Sequence, residues 1–411
     1  MDDVAAFFAG LRATRHTLHA HPEASFKEFK TQDFLEAYLV NESHIPLENI
    51  KRVATTGLVV DIHGPTEGAK STTALTCIAF RADMDGLPMT EHNPHLSYQS
   101  TADQCAHMCG HDGHMTTLLG FATLVQSHRH LLPPHTTVRL LFQPAEEGHF
   151  GAVAMIKDGC LDGVDEIYGY HNIPHAVGQI QVKAGPMMSH SARFSIQIRG
   201  PGGHGSAPHQ TQDPIVAAGH IIVGMQSILS RNVSAHDSGV LSITQVHGGE
   251  ADNVIPSLVT LSGTMRDFSP HVSTLMQTRM TEIVQYTAKA YGVEGSISFT
   301  DGYPVVLNAL AQTNVVTEVA QKVVGPSKVT AEGLPNCASE DFSYYLQRIP
   351  GCFYFVGTVD KTQTQNRLVH SDTYDFNDDI LPVAVRMFVE IVHQRLNCTL
   401  FSSHELQTWT S

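Results

Sequence analysis

A chain of 411 residues is long enough for two or three domains and at least one well-buried core. Its 25 Lys and Arg against 40 Asp and Glu give a formal charge of −15 with His neutral, which argues against nucleic acid or an anionic membrane surface as the main partner. With 42% hydrophobic and 16% charged residues it is neither a disordered nor a fibrous chain. Histidine is the unusual feature. Its 26 copies outnumber Lys and Arg together, and imidazole ligates transition metals and moves protons near neutral pH. Seven cysteines, odd in number and scattered, predict reduced thiols and a cytoplasmic location. The N-terminal segment lacks the basic and apolar regions of a secretory signal, and no apolar run approaches the ~20 residues of a membrane span.

In chain order, residues 57–64 (GLVVDIHG) and 73–86 (TALTCIAFRADMDG) are β-branched or apolar runs, 113–128 has a helical pattern, and 136–148 (TTVRLLFQPAEEG) is again strand-like at its start. Strand, helix, strand in that order predicts an α/β domain with a mixed, largely parallel sheet flanked by helices. Open sheets of this kind hold their chemistry beyond the carboxyl ends of the strands. The residues that follow the apolar runs here are Asp83 and Asp85, then Glu146 and Glu147. The middle of the chain differs: 192–200, 239–249 and 257–268 alternate like half-buried antiparallel strands, while 213–230 and 272–291 read as helices. This predicts an α+β domain inserted at 188–298, which splits a catalytic domain into 1–187 and 299–411. The α/β pattern resumes with a helix at 311–324, a strand at 352–358 and a closing helix at 382–396.

Residues 107–114, HMCGHDGH, gather His107, Cys109, His111, Asp112 and His114 just ahead of a helix. Cys109 and His111 are two apart, so in a looped segment both reach one metal centre, with Gly110 permitting close backbone approach. No partner C-x-x-C or H-x₃₋₅-H pair is placed for a structural zinc module. Glu146 and Glu147 stand at the end of an apolar strand, where neighbouring side chains point in different directions. One suits a metal and the other suits general-base work on water, although a glutamate pair at a strand end is ordinarily a solvated turn. His171 follows the strand-like DEIYGY and His370 precedes the last helix; either alone reads as a structural histidine. One thiolate, three imidazoles and one carboxylate, with a carboxylate to spare, are too many ligands for a single tetrahedral ion with an open position. Two metal ions fit that number, and with them the hydrolysis of an amide or ester.

The strings RHTLHAHPEASFKEFKT, AFRADMDGLPMTE, HMCGHDGHMTTLLGFA, LLFQPAEEG, GYHNIP, GPMMSHSARFSIQIRGPGGHGSAPH, SEDFSYYLQRIPG and VHSDTYDFNDDIL resemble the M20 metallopeptidase superfamily, in particular its amidohydrolase branch of hippurate hydrolases, N-acyl-L-amino acid amidohydrolases and indole-acetyl-amino acid hydrolases. The matches run from near residue 12 to near 382. The resemblance implies a two-domain fold whose inserted domain serves as a lid or dimerisation domain, and two divalent ions (zinc, manganese, cobalt or nickel). It implies that Cys109 bridges the ions, that Glu147 and His370 complete one, and that His111 and His171 complete the other. By the same resemblance Glu146 is the general base and Asp83 the acidic residue that orients a metal-binding imidazole. Arg81 stands where peptidase branches carry a metal-binding His. His204 in GGHGSAPH is similar to the histidine that reaches a partner subunit's site and stabilises the oxyanion, and Asn253 and Arg266 to the anchors of the substrate carboxylate.

His149 and Phe150, Asn336 and Cys337, and Ser371 and Asp372 depart from the commonest pattern of the branch, which bears on substrate preference. The expected activity is metal-dependent hydrolysis of small N-acyl-L-amino acids by a homodimer formed through the inserted domain. The alternatives are a dipeptidase or aminoacylase-like metallopeptidase and, from another class, a catalytically inactive binding protein on the same fold. The complete set of Glu146, five ligands and His204 speaks for the enzyme.

Overall fold

A computed structural model describes residues 4–68, 75–360 and 368–410. The first two residues of the run 73–86 lie outside these, and the strand there starts at Cys77. The chain divides into two compact units. One comprises Met1–Met187, Leu307–Leu334 and Asp341–Ser411, the other Met188–Val306 with Pro335–Glu340.

Along the chain, α1 (Val4–Ala20) and α2 (Phe29–Asn41) precede β1 (Ile50–Val53), β2 (Gly57–His63) and β3 (Cys77–Asp83). Then come α3 (His111–Ser127), β4 (Thr137–Gln143), α4 (Gly151–Lys157), β5 (Glu166–Ala176), β6 (Ile180–Gln181) and β7 (Gly185–Met188). The second unit contains β8 (His190–Arg199), β9 (Gly203–His204), α5 (Pro214–Ser227), β10 (Gly239–His247), β11 (Val254–Ile255), β12 (Leu258–Asp267), α6 (Pro270–Ala290) and β13 (Glu294–Asp301). The chain ends with β14 (Val306–Asn308), α7 (Leu310–Val324), β15 (Val329–Thr330), α8 (Ser343–Leu346), β16 (Gly351–Val359), α9 (Leu381–Leu396) and α10 (Ser403–Trp409).

The first unit is built on an eight-stranded sheet in the order β1-β2-β4-β3-β5-β16-β6-β15. Its middle strands β4, β3, β5 and β16 run parallel, while β1 and β2 on one side and β6 on the other pair antiparallel with their inner neighbours. A central strand with both faces covered reads as a continuous apolar run, and β3 is buried along its whole length. The Phe80 ring meets Phe121 of α3 at 4.6 Å and Phe388 of α9 at 4.8 Å, which fastens two helices to that strand. Arg81 and Asp83 interrupt the apolar run at its carboxyl end, where the site lies.

The second unit is a four-stranded antiparallel sheet, β10-β12-β8-β13. β8 alternates buried and exposed residues from Ala192 on, the period of a sheet with one covered face. α6 turns Val272, Met276, Met280, Val284 and Ala288 inward at four-residue spacing, and with Ile221 and Met225 of α5 they form a separate core with that face. β13 continues past residue 298 because its ladder with β8 runs on to Asp301 opposite Ala192. Among the described residues no helix is long and apolar enough to cross a membrane.

Candidate metal centre

The strands β3 and β5, the loops that follow β3 and β4, and one late turn supply the site. β3 ends in Asp83, and Cys109 and His111 flank the start of α3. Gly110 between them has φ 97°, and a Cβ there would stand 2.3 Å from Asn172 Oδ1, so only glycine turns the chain from Cys109 into the helix. β5 carries His171. β4 stops at Gln143, and Glu146 and Glu147 lie in the turn that follows, after Ala145 at φ 57°. His370 has φ 64°, and its N–H donates to Met108 O at 2.7 Å, tying its turn to the Cys109 loop.

The donor atoms converge. Those of Cys109, Glu147 and His370 lie within 4.8 Å of one another, as do those of Asp83, His111, His114 and His171, and those of His111, Glu146 and Glu147. Cys109 Sγ stands between two imidazoles, 3.3 Å from His171 Nε2 and 3.3 Å from His370 Nε2. The two glutamates therefore do not diverge as an extended strand would send them. They sit in a turn, where the alternation of strand side chains no longer applies.

Two of the imidazoles have a fixed tautomer. His111 Nδ1 is 2.9 Å from Asp85 O, and His171 Nδ1 is 2.7 Å from Asn172 O. A carbonyl only accepts, so each Nδ1 carries a proton; the neutral His171 presents its Nε2 lone pair, and His111 would present its own on giving up the Nε2 proton to a bound cation. Burial, and then His114, hold His171 well below the usual imidazole range, so it is neutral. Burial, followed by the Glu147 and Glu146 carboxylates, pushes the Cys109 thiol well above its usual range. Burial opposes the charge on His111, but Asp83 and Asp85 raise it to about 10. The Cys109 and His111 shifts are those of a pocket with excess negative charge, in which a cation is favourable. Among the described residues His111 Nε2 is buried with no hydrogen-bond partner, and Glu147 Oε1 is buried 3.1 Å from His370 Nε2. An unpartnered imidazole nitrogen and a buried carboxylate in such a pocket, beside a thiol and further imidazoles, fit divalent ions.

Asp83 makes its hydrogen bonds elsewhere than to the five predicted ligands. Its Oδ1 lies 2.6 Å from His114 Nδ1 and its Oδ2 accepts from Arg81 at 2.7 Å, while His111 Nε2 is 3.6 Å away. Burial raises the Asp83 pKa, but His111 and Arg81 hold it well below the usual carboxylate range. Arg81 also donates to Gln143 Oε1 at 2.8 Å and Asp341 Oδ1 at 3.1 Å, so it is the buried cation behind the site. His114 Nε2 reaches Asn172 Oδ1 at 2.7 Å, which links Asp83 to the residue after His171. The candidate ligand set leaves out His114, Asn172 and Asp341; only the i,i+3 spacing of His111 and His114 on one helix face signals any of them. His107 is buried, with no hydrogen-bond partner for either ring nitrogen among the described residues, and burial lowers it to about 4.

The remaining candidates belong to the second unit. His204 on β9 is exposed and pairs with Val254 of β11, and Gly205 N donates to Asn253 O at 2.8 Å, so His204 and Asn253 are neighbours. His204 Nδ1 accepts from Ser206 N at 3.1 Å, which leaves the ring proton on Nε2. Arg266 on β12 is half-buried, donates to Met265 O at 2.9 Å and to Thr264 Oγ1, and has no carboxylate partner among the described residues.

The sequence pattern that defines Peptidase family M20/M25/M40 matches residues 79–394. The chain is 38% identical over 349 residues to the N-acetyl-L-cysteine deacetylase of Bacillus subtilis (strain 168), which spans 84% of this chain and 79% of that protein. To the IAA-amino acid hydrolase ILR1-like 4 of Arabidopsis thaliana it is 34% identical over 404 residues, covering 95% and 88%. Its fold is similar to the crystal structure of the Bacillus subtilis YXEP protein, described as a dinuclear metal binding peptidase of the M20 family, with a TM-score of 0.80, 33% identity, and 96% and 99% of the two chains covered.

Proposed function

The chain belongs to Peptidase family M20/M25/M40 and is a metal-dependent amide hydrolase, and from that premise we propose that its substrates are N-acyl-L-amino acids, which it splits into a carboxylate and a free amino acid. The observation that carries this is the convergence of His111, Glu146 and Glu147 within 4.8 Å beside the Cys109, His171 and His370 cluster. Cys109, Glu147 and His370 would hold one divalent ion, and His111 with His171 would hold the other. The thiolate favours zinc, while imidazole and carboxylate also suit manganese, cobalt or nickel. Such ions, when bound, polarise the amide carbonyl and make water more acidic.

Glu146 accepts a proton from the attacking water as the oxygen–carbon bond forms, then delivers it to the amide nitrogen as the carbon–nitrogen bond breaks. His204 supplies its Nε2 proton to the oxyanion, a role supported by the Ser206 bond that fixes its tautomer. Asn253 and the unpaired Arg266 take the substrate carboxylate. The names of two relatives, an N-acetyl-L-cysteine deacetylase and an IAA-amino acid hydrolase, support the substrate class.

A panel of acetyl, benzoyl and long-chain acyl amino acids together with dipeptides tests the proposal. Acyl amino acids are expected to be hydrolysed, with activity abolished by chelation and restored by divalent metal. Full activity in metal-free protein, or cleavage of dipeptides alone, would overturn it.

The same proposal includes a homodimer formed through the second unit. α5 exposes Ile215, Val216 and Val223, the last 72% exposed, and β10 is an edge strand that exposes Val246. An apolar helix face beside an open strand edge favours a second copy as its cover. If His204 acts across the dimer, mixing inactive His204→Ala and Glu146→Ala subunits restores part of the activity, since one mixed site is intact. No recovery, once a tagged pull-down shows subunit exchange, rules the arrangement out.

A further inference from the structure

We propose that Asp85 is a positioning residue that holds Glu146, Glu147 and His111 in register with one another; the inference rests on the roles given to those three above. Asp85 lies two residues beyond the end of β3 and is fully buried. Its Oδ1 accepts the Glu146 N–H at 3.0 Å and its Oδ2 the Glu147 N–H at 3.1 Å. Ser25 Oγ donates to the same Oδ2 at 2.7 Å, and the Asp85 carbonyl takes the His111 Nδ1 proton at 2.9 Å. One residue thus touches the backbone of the base, the backbone of one metal's ligand and the ring of the other metal's ligand.

The need for such a residue arises where β4 ends. Beyond Gln143 the chain leaves the sheet, and with Ala145 at φ 57° the next N–H groups have no strand to pair with. Buried N–H groups require acceptors. Glu28 Oε1 takes Ala145 N at 2.9 Å, and Asp85 takes the next two. A carboxylate is a stronger acceptor than the ladder carbonyl it replaces, so the turn is held as firmly as a strand while it points both glutamates at His111. Asn in this position keeps the shape but replaces one acceptor oxygen with a donor that faces an N–H.

Asp85→Asn and the milder Ser25→Ala are to be compared with Glu147→Gln, by calorimetric titration of zinc into metal-free protein and by kinetics at saturating metal. Asp85→Asn should weaken both zinc-binding steps together by roughly 10–100-fold, the range for groups that orient metal ligands, because its Oδ1 also lies 3.4 Å from His111 Nδ1, whereas Glu147→Gln weakens one step. At saturating zinc, kcat of Asp85→Asn should fall by a similar factor with KM changed little, because the base is displaced while substrate contacts remain. Ser25→Ala should move both readouts the same way by a few-fold. Native zinc affinities and kcat in Asp85→Asn would overturn the proposal, as would a loss of thermal stability alone. Should Asp85→Asn fail to fold, Ser25→Ala decides, and unchanged affinities and kcat in it overturn the proposal. The zinc titration needs no substrate, so a wrong substrate class leaves it able to decide.

Discussion

Glu146→Gln is expected to keep its metal content while turnover falls by roughly 10²–10⁴-fold, the span that general-base catalysis covers. The amide matches the carboxylate in size, and Glu146 is buried in a turn whose N–H is already held by Asp85. What it loses is a site for the proton of the attacking water. Glu147→Gln is expected to lose metal instead. Glu147 Oε1 is a buried atom 3.1 Å from His370 Nε2, in the group that includes Cys109. A neutral amide removes the charge that holds a cation there. Both variants lose activity, and metal analysis beside the kinetics separates them. Metal loss in Glu146→Gln with retention in Glu147→Gln would reverse the two assignments; undiminished turnover in both would end the two-metal hydrolase proposal.

The second large effect is on stability. Arg81→His introduces the residue type that the family resemblance implies for the peptidase branches, but the place is not built for it. Arg81 is 1% exposed and shared between Asp83 and Asp341, themselves fully buried. A shorter, mostly neutral ring cannot reach both, and removing one partner from a buried ion cluster costs about 3–5 kcal/mol. Arg81→Lys keeps the charge but not the planar fork that also donates to Gln143, so its loss should be intermediate. Urea unfolding at fixed metal concentration measures both. A histidine variant within about 1 kcal/mol of the parent would show that the cluster tolerates loss of its cation, contrary to the usual cost of breaking a buried pair.

Much of the architecture was legible in the sequence because burial leaves a local record. A central strand such as β3 shows as an apolar run up to Phe80, and a one-faced strand such as β8 shows as alternation, whatever the rest of the chain does. HMCGHDGH likewise points to metal chemistry by composition, while PAEEG, ordinarily a solvated turn, gains that meaning only beside it. The sequence by itself determined the α/β class, the change of pattern in the middle of the chain, and a set of side chains able to hold metal and move a proton.

The partners of those side chains were decided only by the tertiary structure. Strand alternation sent Glu146 and Glu147 apart, but the strand ends at Gln143 and a turn brings them together on His111. Nothing local to Asp83 reveals that it bonds His114, although Arg81 shares its strand face, or that a backbone carbonyl and not a carboxylate fixes the tautomer of His111. Cys109 meets a histidine 261 positions away. Periodicity records which face of an element is buried. The atoms that meet across loops depend on where packed strands and helices stop, and that is settled by the core as a whole and by the N–H groups left unpaired where each strand ends.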